Sequence, residues 1–308
     1  MDYIVGKAAG DEPEVEQPVD GGGILPSCPF RWILSGPSKS GKTNLARWVL
    51  DKYFKRANGN CYWDRIILLS PTANIDYTWS KLPCLAPKDR ITVPTARHLE
   101  AILKEQIKSI VGGSGSESAL KNISPATLLR KKRSAKKLLL IFDDAISESS
   151  MINSSEFLKT FIQGRHYGIS SIIMSQSLMK IPRSVRLQGT ALSLFPSKKS
   201  EIDRVYSEFG PRLMSRSEFH ELAEFATTPT EDDAYPFLHI DAGAPERSRF
   251  RRNFTNILQI NDSGGTGGAV EQKESIQDPG QSAPPARRGR QPPKKKARLH
   301  SPSKFEIP

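Results

Sequence analysis

No stretch of this sequence comes near the roughly 20 consecutive apolar residues that a membrane-spanning helix needs, so no membrane partner is expected. Cysteine is scarce: Cys28, Cys61 and Cys84 stand far apart, with no C-x-x-C pair. That spacing argues against a zinc site and against a disulfide framework, and it fits reduced thiols inside a cell. The segment Met1 to Asp20 is acidic and lacks the apolar core of a secretory signal, so an intracellular, non-secreted protein is expected. No internal repeat is visible.

Positive charge is abundant instead, with a formal net charge of +12 over 308 residues. It is unevenly spread: residues 1–26 carry about −5, residues 261–308 about +4, and the middle therefore about +13. A basic surplus inside the folded part fits a polyanionic partner such as nucleic acid, although many soluble proteins are basic without one.

The composition shifts divide the chain into three. Residues 1–26 form an acidic leader rich in Glu, Pro and Gly, expected to be disordered. Residues 261–308 form a tail rich in Gly, Ser, Gln and Pro and then in Arg and Lys, with too little apolar content to pack. Between them, residues 27–260 read as one α/β domain, and the 37% hydrophobic content supports a real core. Short apolar runs predict strands at Phe30–Ser35, Arg65–Ser70, Leu138–Phe142, Ile169–Ser175 and Thr190–Phe195, with Tyr235–Ile240 as an edge strand. Helical periodicity predicts helices over Lys42–Phe54, Thr95–Val111, Ser154–Gly164, Ser200–Phe209 and Ser215–Phe225. Continuous apolar strands alternating with helices predict a mostly parallel sheet covered on both faces.

The segment Gly36-Pro37-Ser38-Lys39-Ser40-Gly41-Lys42-Thr43 matches G-x-x-x-x-G-K-[ST], and it lies between the first strand and the first helix. In that setting the match is a phosphate-binding loop: glycines admit phosphate to the backbone N–H groups, and the helix N-terminus favours the negative charge. Lys42 would reach the β- and γ-phosphates of ATP, and the Thr43 hydroxyl would ligate Mg²⁺.

About a hundred residues on, Leu138-Leu139-Leu140-Ile141-Phe142 runs into Asp143-Asp144. A buried strand would hold Asp143 beside the loop as a Mg²⁺ carboxylate, with Asp144 placed to polarise an attacking water; Glu148, on the following turn, has a rival claim to that role. Gln176 ends the fourth strand and would orient water near the γ-phosphate. Arg165, in Gly164-Arg165-His166-Tyr167-Gly168, reads three ways: a finger completing a neighbouring subunit's site, an interface salt bridge, or a DNA contact. Arg186 has a weaker claim to such a role. His166 is expected to pack or hydrogen-bond rather than to act as an acid or base, because phosphoryl transfer relies on positioning and metal. The basic cluster Arg130-Lys131-Lys132-Arg133 with Lys136-Lys137, after the glycine-rich Gly112–Ser116, is either a solvated helix face or a mobile element facing DNA.

The phosphate loop, the Ile141-Phe142-Asp143-Asp144 strand, the Gly164-to-Ser170 stretch and the strand ending Ser175-Gln176-Ser177 together resemble the poxvirus-type genome-packaging ATPases. That group includes relatives encoded by Maverick/Polinton elements and adintoviruses, within the FtsK–HerA branch of P-loop ATPases. The resemblance spans roughly residues 27–240. It implies a RecA-like (ASCE) P-loop fold, with Lys42 and Thr43 as the Walker A pair, Asp143 as the metal carboxylate, Asp144 as the catalytic acid and Gln176 as the sensor. Many relatives of the branch carry glutamate where Asp144 stands, which keeps Glu148 in play. The family also implies a homo-oligomeric ring around double-stranded DNA that feeds a genome into a preformed capsid through a portal vertex.

The tail run Pro292-Pro293-Lys294-Lys295-Lys296-Ala297-Arg298, after Arg287-Arg288-Gly289-Arg290, resembles a nuclear localisation signal. It would engage a nuclear import receptor and place the protein in the host nucleus, and through assembly in the virion; the competing readings are a non-specific DNA-binding tail and a solvated charge run with no role. The rival activities are a DNA helicase or replication ATPase, a nucleotide kinase, and a structural DNA-binding protein that does not hydrolyse ATP.

Overall fold

The computed structural model describes residues 26–56, 58–112, 123–145, 149–211, 214–259 and 270–273. The acidic leader up to residue 25, most of the Gly112–Ser116 segment, Glu148 and the basic tail with its nuclear-localisation run lie outside the described residues.

One ten-stranded sheet organises the chain. Its strands are β1 (Arg31–Ser35), β2 (Arg65–Leu69), β3 (Arg90–Ile91), β4 (Leu138–Asp143), β5 (Ile169–Ser175), β6 (Ala191–Leu194), β7 (Leu238–Asp241), β8 (Phe250–Arg252), β9 (Asn256–Gln259) and β10 (Val270–Lys273). They lie in the order β10-β9-β8-β7-β6-β1-β5-β4-β2-β3. From β6 to β3 every pairing is parallel, and from β6 to β10 every pairing is antiparallel.

The central strands are mostly apolar because both faces are covered, with a few buried polar residues such as Arg31, Ser171 and Ser193 among them. Successive residues alternate between two cores. Ile33, Ile67, Leu140, Phe142 and Ile173 face one side, while Trp32, Leu34, Leu68, Ile141 and Met174 face the other. On the first side lie the helices α3 (Ala96–Val111), α5 (Ser155–Ile162), α6 (Lys199–Phe209) and α7 (Arg216–Thr227). On the second lie α1 (Lys42–Tyr53) and the single turn α2 (Tyr77–Ser80). A further helix, α4 (Pro125–Ser134), packs beside α3. Phe142 of β4 meets Phe157 and Phe161 of α5 at centroid distances of 5.3 and 5.5 Å. Truncating such a ring to alanine typically costs about 3–5 kcal/mol.

Local chemistry sets the helix ends. A capping box joins Thr95 and His98 at the start of α3, and another joins Ser215 and Glu218 at the start of α7. Lys131 donates from Nζ to the Val111 carbonyl at 3.1 Å, placing a cation at the C-terminus of α3. Buried Gln106 on α3 donates to the carbonyls of Lys136 and Tyr167, both at 2.7 Å, and so ties together the chain entering β4 and β5.

One expectation is corrected. The run Tyr235–Ile240 was expected at an edge, but β7 lies between β6 and β8, so it is interior. The reason is that β8 carries Arg251 and Arg252, which are buried as they donate to the carbonyls of Phe254, Phe225 and Thr228. Within the tail expected to be disordered, Val270–Lys273 pairs antiparallel with β9. Edge pairing rests on backbone hydrogen bonds and asks little apolar content. Tertiary folding also brings Cys61 and Cys84 into thiol–thiol hydrogen bonding, which their sequence spacing did not suggest.

Candidate nucleotide-binding site

The phosphate loop leaves the C-terminal end of β1 and enters α1, the junction at which parallel α/β sheets bind ligands. Gly36 donates its N–H to the Ser175 carbonyl at 3.1 Å, pinning the loop to the end of β5. A Cβ on Gly36 would lie 2.5 Å from the Phe195 Cβ, so only glycine passes there. Gly41, at the N-cap of α1, has φ of 93°, and Lys39 has φ of 63°. This left-handed geometry turns the chain tightly enough for the loop N–H groups to face inward.

Lys42 folds its ammonium over that loop, donating to the carbonyls of Gly36 at 2.8 Å and Pro37 at 2.7 Å. Burial lowers its pKa, and the charges of Asp144 and Asp143 oppose that shift. The loop, the lysine and the two carboxylates therefore share one field.

Asp143 ends β4 and is buried. Its Oδ2 accepts from the Thr43 hydroxyl at 3.4 Å and from the Trp79 indole N–H at 2.8 Å. Burial pushes its pKa up to about 6, against the Trp79 hydrogen bond; Asp76 and Asp144 push the same way as burial, and Lys42 opposes. A buried carboxylate short of compensating charge, beside a hydroxyl, is an oxygen donor set suited to a hard divalent cation.

Asp144 turns out of the strand with φ of 51°. A non-glycine residue there carries strain of order 1–2 kcal/mol, which aspartate tolerates better than most. The turn exposes the carboxylate, whose Oδ2 accepts from the Gln176 amide at 2.8 Å. Ser177 and the Leu178 N–H both donate to Glu201 on α6, fixing the turn that follows Gln176.

The structure thus brings Gly36–Thr43, Asp143, Asp144 and Gln176 together at the C-terminal ends of adjacent strands. Arg165 is elsewhere. It precedes β5, at the opposite end of a seven-residue strand that spans roughly 20 Å at ~3.3 Å per residue. Its guanidinium is exposed, outside this chain's own site. Arg186 is buried in a bidentate ion pair with Glu208, at 2.7 and 2.6 Å, and cannot act as a finger. Within the basic cluster, Lys131 is engaged with α3 and Lys137 sits 4.7 Å from the Tyr62 ring, while Arg130 and Lys136 are exposed. Glu148 lies outside the described residues.

Sequence reading missed Trp79 and Asp76. The only local signal was Asp76 as the N-cap of α2, accepting from the Thr78 N–H at 2.7 Å.

A family model described as "Poxvirus A32 protein" matches residues 24–210. The chain belongs to the poxvirus A32 family. That bears out the resemblance carried by its four motifs to the poxvirus-type packaging ATPases, and the P-loop fold. The A32 match ends between α6 and α7, before the antiparallel strands.

Solved structures are similar at lower levels. The genome packaging NTPase B204 from Sulfolobus turreted icosahedral virus 2, in complex with ATP-gammaS, is 17% identical, with 70% of this chain and 92% of that chain covered and a TM-score of 0.40. The pCW3 conjugation coupling protein TcpA is 13% identical over 73% of this chain and 60% of that one, with a TM-score of 0.46. The cytoplasmic domain of the Thermomonospora curvata type VII secretion ATPase EccC is 13% identical over 72% and 23%, with a TM-score of 0.44. No curated protein matches the chain.

Proposed function

We propose that this chain is an ATP-hydrolysing motor that moves double-stranded viral DNA into a preformed capsid. The observation that carries the reading is the joining of two motifs about a hundred residues apart: Thr43 and Asp143 touch, with Lys42 over the loop and the Asp144–Gln176 pair beside it. Hydrolysis needs positioned phosphates, a cation site and a group that polarises water. Lys42 and the loop N–H groups hold the triphosphate. Thr43 and Asp143 would hold Mg²⁺, which when bound neutralises phosphate charge. Asp144, turned outward and bonded to the Gln176 amide, presents a carboxylate and an amide to one water.

The same geometry disfavours a kinase, since an exposed acid–amide pair offers an acceptor site to water. Arg165, at the far end of β5, suits a ring in which one subunit's arginine meets the next subunit's nucleotide. The basic surplus of the domain supports duplex DNA as its track. Capsid or portal docking, nuclear import through Pro292–Arg298 and presence in the host nucleus or virion belong to the same proposal.

The test is phosphate release with and without duplex DNA. Stimulation by DNA that is lost in Lys42→Ala, and ATP binding without turnover in Asp144→Asn, is the expected result. Full turnover in Asp144→Asn would remove Asp144 from the reaction.

A further inference from the structure

Tyr235 stands beside the phosphate loop, beyond the residues 24–210 that the family accounts for. Its Cδ1, Cβ and Cγ lie 3.7–3.8 Å from the place a Cβ on Gly41 would take. Gly41 is the N-cap of α1, the point where the loop delivers its N–H groups. Tyr235 is 49% exposed, although Phe237 two residues on is buried against Phe195 and Phe254 at 5.4 and 5.1 Å.

The segment that presents this ring is held rather than loose. Thr230 and Asp233 exchange backbone hydrogen bonds at 2.9 and 3.2 Å. Buried Arg252 donates to the carbonyls of Phe225 and Thr228 at 2.9 and 3.0 Å, and Asn253 donates to Asp233 at 2.9 Å. Asn253 and Phe237 close a reciprocal pair: the Phe237 N–H donates to Asn253 Oδ1 at 3.2 Å, and the Asn253 N–H to the Phe237 carbonyl at 2.8 Å. The antiparallel strands thereby fix one exposed aromatic face beside the phosphate loop.

Resting on the nucleotide reading above, we infer that Tyr235 is the seat of the nucleotide's base. Phosphates on the loop leave the base one ribose away, at the loop's margin, and that margin is where the ring stands. A base stacks on an aromatic face whatever its hydrogen-bonding edge, and a tyrosine fixed by its own backbone loses little freedom on binding. The seat contributes to affinity for a nucleoside triphosphate and nothing to affinity for the phosphates alone.

Binding of ATP and of inorganic tripolyphosphate, both with magnesium, to the full chain tests this. Tyr235→Ala should weaken ATP about tenfold and leave tripolyphosphate unchanged, and Tyr235→Phe should restore ATP. Equal weakening of both ligands would show that Tyr235 only shapes the loop and would overturn the seat. So would unchanged ATP binding, or a loss confined to duplex DNA binding. If the unsubstituted chain binds neither ligand, the nucleotide reading itself falls and the seat with it. Tripolyphosphate binding that Lys42→Ala abolishes would keep the loop assignment standing even where the seat fails.

Discussion

The parallel and antiparallel halves of the sheet do different work. From β6 to β3 the strands are mostly apolar, and the phosphate loop and the two carboxylates gather at their C-terminal ends, where Asp143 and Lys42 are both shifted in pKa by burial. In the antiparallel half, β8 carries two buried arginines whose guanidinium groups donate to backbone carbonyls. The first half places the groups that meet phosphate. The second holds a loop against them. Chemistry is concentrated where parallel strands converge, and shape is supplied by a neighbour that contributes no catalytic group.

The largest effect should come from the parallel half. Lys42→Ala, or Asp144→Asn, is expected to lower turnover by about 10²–10³-fold or more, the scale of losing one charge-stabilising group. In steady-state phosphate release the folded population, followed by circular dichroism, should stay unchanged for both.

Next comes a break in the antiparallel half. Arg252→Ala removes a buried guanidinium from two carbonyls and from Asp233. Leaving those groups unpaired is expected to cost about 2–4 kcal/mol in denaturant unfolding. ATP affinity should fall with the Tyr235 loop while tripolyphosphate binding persists; equal loss of both would merge the two halves into one functional unit.

Asp143→Asn should separate activity from stability. The folded pKa of Asp143 is raised to about 6, so the contribution of its protonated form is fully present below the unfolded value near 4 and is lost as pH rises through about 6. Above that, the charged carboxylate weighs on the metal-free fold by up to about 3 kcal/mol. Asparagine keeps an acceptor for Trp79 and removes the charge. Without nucleotide or metal, the variant should melt higher than the parent at pH 8, with the gap closing below pH ~4, and should not turn over ATP. A variant that melts lower at pH 8 would show that the buried charge is already compensated.

The smallest effect is a rate of thiol labelling. The hydrogen bond from Cys61 brings Cys84 down to about 7, while burial pushes Cys28 up to about 12. An alkylating reagent at pH 8 should therefore modify Cys84 first and Cys28 only on unfolding, as peptide mass mapping would show. Early modification of Cys28 would mean that the start of β1 opens before the rest of the parallel half.

Legibility followed the physics of each half. β1, β2, β4, β5 and β6 stood out because strands buried on both faces must be apolar, as Leu138-Leu139-Leu140-Ile141-Phe142 is. Helices α1, α3, α5, α6 and α7 were visible through their spacing. β3 is too short to carry a pattern, and β8, Phe250-Arg251-Arg252, contradicts one, since its arginines are buried only because backbone carbonyls, local for Arg251 and distant for Arg252, receive them. At the site, Gly36–Thr43 and Asp143-Asp144 were legible because a strand and a tight loop enforce local spacing. Trp79 on Asp143 and Tyr235 beside Gly41 were not, because both pairings join segments with no fixed separation along the chain.

The sequence alone determined a phosphate loop, a strand-end carboxylate pair and a basic domain, each a consequence of neighbouring residues and local backbone geometry. Only the tertiary structure decided that Thr43 meets Asp143, that Asp144 turns out to Gln176, that Arg165 stands at the far end of the sheet and that Arg186 is buried. Those outcomes depend on which strands pair and in what order, and strand order is set by burial over the whole domain rather than by any local run of residues.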